Sequence, residues 1–166
     1  MSNYTCKIAT LDDIIKKYDY EIDKASDKYN WRIWKDKAID RFNKKQVITY
    51  IGLLDDEIIS EASADLVGCA VTKNEGLVDE KTVYLFAFRT NSEYIGQGYF
   101  SILFKYMIND LKERGYERVT IGVEPEEIKN KAIYQKYGFT DYIKTEKEPY
   151  PDGTIIEAEY YAKKIK

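Results

Sequence analysis

The chain has 166 residues, 44% of them hydrophobic and 33% charged, and its 26 Lys and Arg against 29 Asp and Glu leave a net charge of −3. That length and composition fit one globular domain with a buried core and exclude a disordered chain. A net negative chain lacks the basic field that binding to a phosphate backbone needs, so nucleic acid is not expected as a partner, while a cationic substrate is compatible. There is no histidine, which removes a histidine general base and most catalytic zinc sites. The two cysteines, Cys6 and Cys69, have neither metal-site spacing nor the density of a disulfide framework. With no secretory signal and no long apolar span, the expected location is cytoplasmic, with no membrane partner.

No repeat, low-complexity tract or linker interrupts the chain, so residues 1–166 are read as a single domain. Tyr4 to Ala9 is a short strand. Thr10 caps the following helix, with Asp13 acidic in its first turn and Leu11, Ile14, Ile15, Tyr18 and Ile22 on one face. A second helix carries Trp31, Trp34, Ala38 and Phe42 at helical spacing. Gln46 to Leu54 and Glu57 to Ala64 are strands joined at Asp55-Asp56 as a hairpin. The stretch from Asp65 to Glu80 reads as a strand end followed by a loop. Thr82 to Phe88 is a nearly continuous apolar run, the signature of a central strand covered on both faces. A helix follows Gly98, with Ile102, Leu103, Tyr106, Met107 and Leu111 as its buried face and Gly115 as its stop. Val119 to Val123 is a second buried strand. A helix near Ile128 to Tyr137 ends at Gly138, and Phe139 to Thr145 and Ile155 to Ala162 are strands around the turn Pro151-Asp152-Gly153. The alternation of strand and helix from Thr82 onward predicts parallel neighbours with crossover helices, and the hairpins make the sheet mixed.

Chemistry concentrates at Tyr94-Ile95-Gly96-Gln97-Gly98-Tyr99-Phe100-Ser101, between the buried strand and the long helix. Two glycines permit tight turns and close approach of a ligand, and the N–H groups and dipole at a helix start favour an anion. The segment is thus a candidate pyrophosphate cradle; Gly-x-Gly also serves plain strand-to-helix turns.

The stretch from Val83 to Phe139 resembles the core of the GCN5-related N-acetyltransferases (GNAT). The family's phosphate loop, Gln/Arg-x-x-Gly-x-Gly/Ala, falls on Ile95 to Phe100, with Gly98 the central glycine and Gly96 an addition also common in the family. Ile95 stands in place of the usual Arg or Gln, and Phe100 in place of a small residue. Tyr134-Gln135-Lys136-Tyr137-Gly138-Phe139 is similar to the family's tyrosine followed by Gly-Phe, and Gly122-Val123-Glu124-Pro125 to the exit of its fifth strand. At the start of the next helix the family's usual Asn and Ala positions are Glu127 and Asn130 here.

The resemblance implies an α/β fold of GNAT type, three layers with helices on both faces of a mixed central sheet. It implies acetyl-CoA as co-substrate, without a metal, and transfer of acetyl to a primary amine of a small molecule or peptide by direct attack in a ternary complex. The cofactor would be held by Phe88, Ile95, Gly96, Gln97, Gly98, Tyr99, Phe100 and Ser101, with Asn130 one turn before Tyr134 a further hydrogen-bonding group. Tyr134 would protonate the leaving thiolate, since a phenol with a reference pKa near 10 donates without being charged; its alternative role is core packing. Glu61 and Glu124 are the base candidates in a chain without histidine, the alternative being no dedicated base. Trp31 and Trp34 either wall the acceptor site or pack the core. A monomer or homodimer is expected. A different class of protein, a non-catalytic acetyl-CoA-binding sensor whose loop has decayed at Ile95 and Phe100, fits the same residues. A dinucleotide-binding reading of Gly96 and Gly98 lacks the third glycine and the acidic residue about twenty positions on.

Overall fold

The computed structural model describes residues 3–166. Strands β1 (Tyr4–Ile8), β2 (Val47–Leu54), β3 (Glu57–Asp65), β4 (Thr82–Thr90), β5 (Arg118–Val123), β6 (Asp141–Pro149) and β7 (Ile155–Lys164) form one sheet in the order β1-β2-β3-β4-β5-β7-β6. The described helices are α1 (Leu11–Lys24), α2 (Lys28–Asn43), α3 (Tyr99–Glu113) and α4 (Ile128–Lys136), with a short 3₁₀ turn at Ser92–Tyr94. This is the expected mixed α/β architecture, with β4 in the middle of the sheet. The chain divides into two compact units: the chain up to Ala64 with Ala87–Asp110, and Asp65–Phe86 with Leu111–Lys166.

In the first unit, Thr10 and Asp13 close a reciprocal capping box at the start of α1, each side chain accepting the other's backbone N–H. α1 and α2 pack on β1 and β2 through Ala9, Ile14, Tyr18 and Ile51, against which Trp31, Trp34, Ala38 and Phe42 lie partly buried. Both tryptophans therefore help to cover a core. The β2–β3 hairpin turns at Asp55 and Asp56, whose φ values of 49° and 70° match the two left-handed positions of a type I′ turn. On α1 the buried positions include Asp13 and Lys17 beside Ile14 and Tyr18. The periodicity of apolar residues alone does not mark those two charged residues as inward.

In the second unit, the loop after β3 is organised by Asp65. Its carboxylate is fully buried and accepts the backbone N–H groups of Val67, Gly68, Cys69 and Ala70 at 2.8–3.2 Å. The loop then covers a cluster formed by Leu77, Tyr84, Ala158 and Tyr160. Thr72 is pinned to Glu148 of β6, and Lys144 of β6 donates to the Lys73 carbonyl oxygen at 3.0 Å.

One expectation needs correction. Strand β4 pairs in parallel with β5, but β6 does not continue a parallel series beside β5. β7 lies between them, antiparallel to both. The composition explains the order. β7 carries Ala158, Tyr160 and Ala162 into the core, whereas β6 reads Asp-Tyr-Ile-Lys-Thr-Glu-Lys-Glu-Pro, with the charges and terminal proline typical of a protected edge.

The feature of β4 that matters most for function is its interruption. Parallel pairing with β5 runs from Thr82–Arg118 to Leu85–Ile121, and two residues later Ala87 has a φ of +57°. A left-handed alanine costs about 1–2 kcal/mol relative to the usual regions. Ala87→Gly is therefore expected to be neutral or mildly stabilising, and Ala87→Val to lose about 2 kcal/mol or more because a β-branched side chain tolerates this conformation least. Urea denaturation of the two variants measures both; a Val variant as stable as wild type would contradict the strained geometry.

Candidate active site

In the first unit, β4 runs on through Phe88 to Thr90, and Asn91 leads into the glycine loop. Gly96 and Gly98 have φ values of 80° and 87°, and a Cβ built on either meets nothing within 4 Å. The glycines are thus needed for backbone conformation, and they border open space of the kind a phosphate group fills. α3 begins at Tyr99; its first turn contributes outward N–H groups, and the Ile102 N–H bonds back to the Gly98 carbonyl oxygen at 3.4 Å. Ile95 is well exposed, Gln97 donates its amide to the Glu93 carbonyl oxygen at 3.0 Å, and Ser101 lies exposed in the first turn. No carboxylate occurs between Ile95 and Ser101 to oppose an anion. Phe100 does not crowd the glycines: its ring packs 5.0 Å from that of Phe88, which also meets Phe104 at 6.1 Å. Tyr99 packs against Tyr4 and Tyr94, with centroids at 4.7 and 6.1 Å. These residues fit a pyrophosphate held by main-chain groups at a helix start.

Glu61, on β3 in the same unit, is buried and forms an ion pair with Arg89 of β4. The guanidinium lies 4.5 Å from the Trp31 ring and 5.4 Å from the Tyr18 ring. Burial alone would lower the Arg89 pKa, but the Glu61 charge and Tyr18 more than reverse this and raise it. The pair joins β3, β4, α1 and α2 at one point, just beyond the kink at Ala87.

In the second unit, Glu124, Glu127, Asn130 and Tyr134 lie along the β5 exit and α4. Glu124 is held above the ordinary carboxylate value of 4.5 by burial, by hydrogen bonding with Glu127 and by the charges of Glu127 and Glu126. Asn130 donates its amide to Glu127 at 3.0 Å on the exposed side of α4. Tyr134 is half-buried, and burial, with the charges of Glu127 and Tyr137, pushes its hydroxyl up to about 12. The phenol is therefore fully protonated at neutral pH. Gly138, with φ +101°, ends α4, and Phe139 is completely buried behind it. Tyr84 is also close enough to Tyr134 for the two hydroxyls to influence each other. That proximity had no sequence signal, because the residues are fifty positions apart on a strand and a helix.

The acetyltransferase (GNAT) family profile matches residues 9–139, so the chain belongs to the GNAT family of acetyltransferases, whose co-substrate is acetyl-CoA. Solved structures support the same fold. The ribosomal-protein-S18-alanine N-acetyltransferase of Escherichia coli is similar at 17% identity and TM-score 0.67, covering 98% of this chain and 94% of that one. An N-acetyltransferase of Staphylococcus aureus gives 13% identity and TM-score 0.71, with 99% of each chain covered. A GNAT-family acetyltransferase of Streptococcus pneumoniae gives 16% identity and TM-score 0.65, with 98% and 99% covered. No curated protein matches the sequence. Among the described residues no helix is long and apolar enough to cross a membrane, and no group of three or more His, Cys, Asp or Glu side chains is arranged to hold a metal.

The raised pKa of Glu124 has a stability consequence. A carboxyl group whose folded pKa lies above its unfolded value contributes stability that is fully present below the unfolded value and is lost as pH rises through the folded value. Glu124→Gln is thus expected to be more stable than wild type at pH 7 and indistinguishable from it below about pH 4.5, the ordinary value. Denaturation midpoints across this range read the difference, and a constant offset at every pH would exclude titration of Glu124 as its source.

Proposed function

We propose that this chain is an N-acetyltransferase that moves the acetyl group of acetyl-CoA to a primary amine of a small molecule or peptide, by direct attack while both are bound. The observation that carries the reading is the pair of left-handed glycines, Gly96 and Gly98, opening α3 in a chain of the GNAT family. Bound acetyl-CoA would supply an activated acyl group on a thiol leaving group. Everything else is asked of the chain.

The backbone from Ile95 to Ser101 binds the pyrophosphate with helix-start N–H groups, which is why Ile95 serves where the family usually has Arg or Gln. Phe88 presents the backbone beyond the Ala87 kink to the pantetheine arm, and Asn130 offers its amide oxygen as a further contact. Tyr134 donates its proton at the thiolate sulfur. Its raised pKa keeps it loaded at every working pH, although it also makes the phenol a weaker acid than a free tyrosine. Glu124 takes a proton from the ammonium of the acceptor, directly or through water. Its elevated pKa makes it a better proton acceptor than an ordinary carboxylate. Glu61, engaged by Arg89, serves instead to hold the strand beyond the kink. Packing of Phe100 on Phe88 directs its bulk away from the glycines, so Phe100 does not mark the loop as decayed. The net charge of −3 suits a cationic acceptor, and we propose a cytoplasmic monomer or homodimer acting without nucleic acid, membrane or metal.

Thiol release from acetyl-CoA, measured over polyamines, aminoglycosides, free amino acids and peptide N-termini, is expected to respond to at least one amine class. Binding of acetyl-CoA with no release for any amine would instead identify a sensor. For Tyr134→Phe the expected result is a loss of roughly a hundredfold or more in the single-turnover rate of acetyl transfer, with acetyl-CoA affinity and stability near wild type. An unchanged single-turnover rate would mean that the proton comes from water or another group.

A further inference from the structure

Lys17 is only 1% exposed, an unusual place for a lysine. On α1 its ammonium donates to Glu21 at 2.6 Å and to the Asn91 amide oxygen at 3.1 Å. It also faces the Tyr20 ring, 4.9 Å from its centroid. Asn91 is itself buried and is the last residue before the segment that carries the glycine loop. Its backbone N–H donates to the Ile59 carbonyl oxygen at 2.8 Å, its side-chain amide donates to the Ile58 carbonyl oxygen at 3.4 Å, and its own carbonyl oxygen accepts the Tyr94 N–H at 2.9 Å. The last bond closes the 3₁₀ turn from which Ile95, Gly96 and Gly98 emerge. Asn91 thus joins the end of β4, the neighbouring strand β3 and the loop, and the Lys17 ammonium fixes the orientation of its amide.

Stability does not explain the burial of this charge. Replacing a buried ion pair by apolar groups of similar size is often neutral or stabilising. The geometry has a better use: a charge-assisted bond from a rigid helix determines where the backbone leaves β4, and therefore where the N–H groups of the glycine loop point. We infer that Lys17 and Asn91 are positioning residues for the pyrophosphate-binding loop, setting the affinity for the CoA moiety without touching it. This rests on the assignment of residues 95–101 to acetyl-CoA.

The test compares CoA binding by calorimetry, and KM against kcat for acetyl-CoA, in four proteins. Lys17→Met removes the ammonium and keeps the volume. Asn91→Leu removes the same bond from the other side, together with the amide's weak bond to the Ile58 carbonyl oxygen, and keeps the backbone bonds of residue 91, so it decides the matter where Lys17→Met does not fold. Thr49→Val is the control. It removes the buried Thr49–Ser63 hydrogen bond, 2.9 Å long on β2 and β3, and lowers stability away from the loop. The expected result is a Kd for CoA raised roughly ten- to a hundredfold in Lys17→Met and Asn91→Leu, carried in KM with kcat nearly unchanged, and a wild-type Kd in Thr49→Val. Wild-type affinity in the first two variants would overturn the inference. So would a loss of affinity that merely follows the fall in Tm, control included. A wild-type protein that does not bind CoA would overturn the assignment of the loop itself, a distinct failure.

Discussion

Parallel pairing between β4 and β5 stops after Leu85 and Ile121, and at Ala87 the β4 backbone turns left-handed. Backbone N–H and C=O groups are obligatory hydrogen-bonding groups, so a strand that leaves its neighbour must offer them to water or to a ligand. The rest of the first unit is built around the strand that continues from this kink. Arg89, two residues on, is fastened by Glu61 and enclosed by Trp31 and Tyr18, and Asn91, two further, is held by Lys17 and by the backbone of β3. Both anchors are charged and buried. A charge removed from water is strongly orienting because it accepts only the geometry that compensates it.

In the second unit the electrostatics bear on the two roles proposed for Tyr134 and Glu124. Burial and neighbouring carboxylates raise both Tyr134 and Glu124 above their ordinary values. The same cause thereby keeps a phenol protonated as a donor and makes a carboxylate more willing to accept a proton. Under the proposed assignment the phenol is the donor and the carboxylate the acceptor, in a chain that contains no histidine.

Much of this was legible in the residues. The Thr10 cap, the Asp55-Asp56 hairpin and the central position of the apolar run from Thr82 follow from local rules, because each depends on side chains adjacent in sequence. Gly96 and Gly98 were legible because glycine is the residue that a left-handed turn selects. Ala87 was not: alanine in a strand gives no sign of a positive φ. Nor were the partners of Glu61 and Lys17, since pairing over 28 and 74 positions leaves no periodic trace. The insertion of β7 between β5 and β6 was hidden for the same reason. Phe100 read as a departure from a small residue, and only the three-dimensional packing directs its ring onto Phe88.

The central claim is that the main chain of the glycine loop carries the cofactor. Amide hydrogen exchange, with and without saturating CoA, reads those N–H groups directly. The account predicts slowed exchange concentrated in residues 95–101, with a second protected segment on β4 beyond Ala87. Saturating CoA that protects some other region and leaves residues 95–101 unchanged would contradict it.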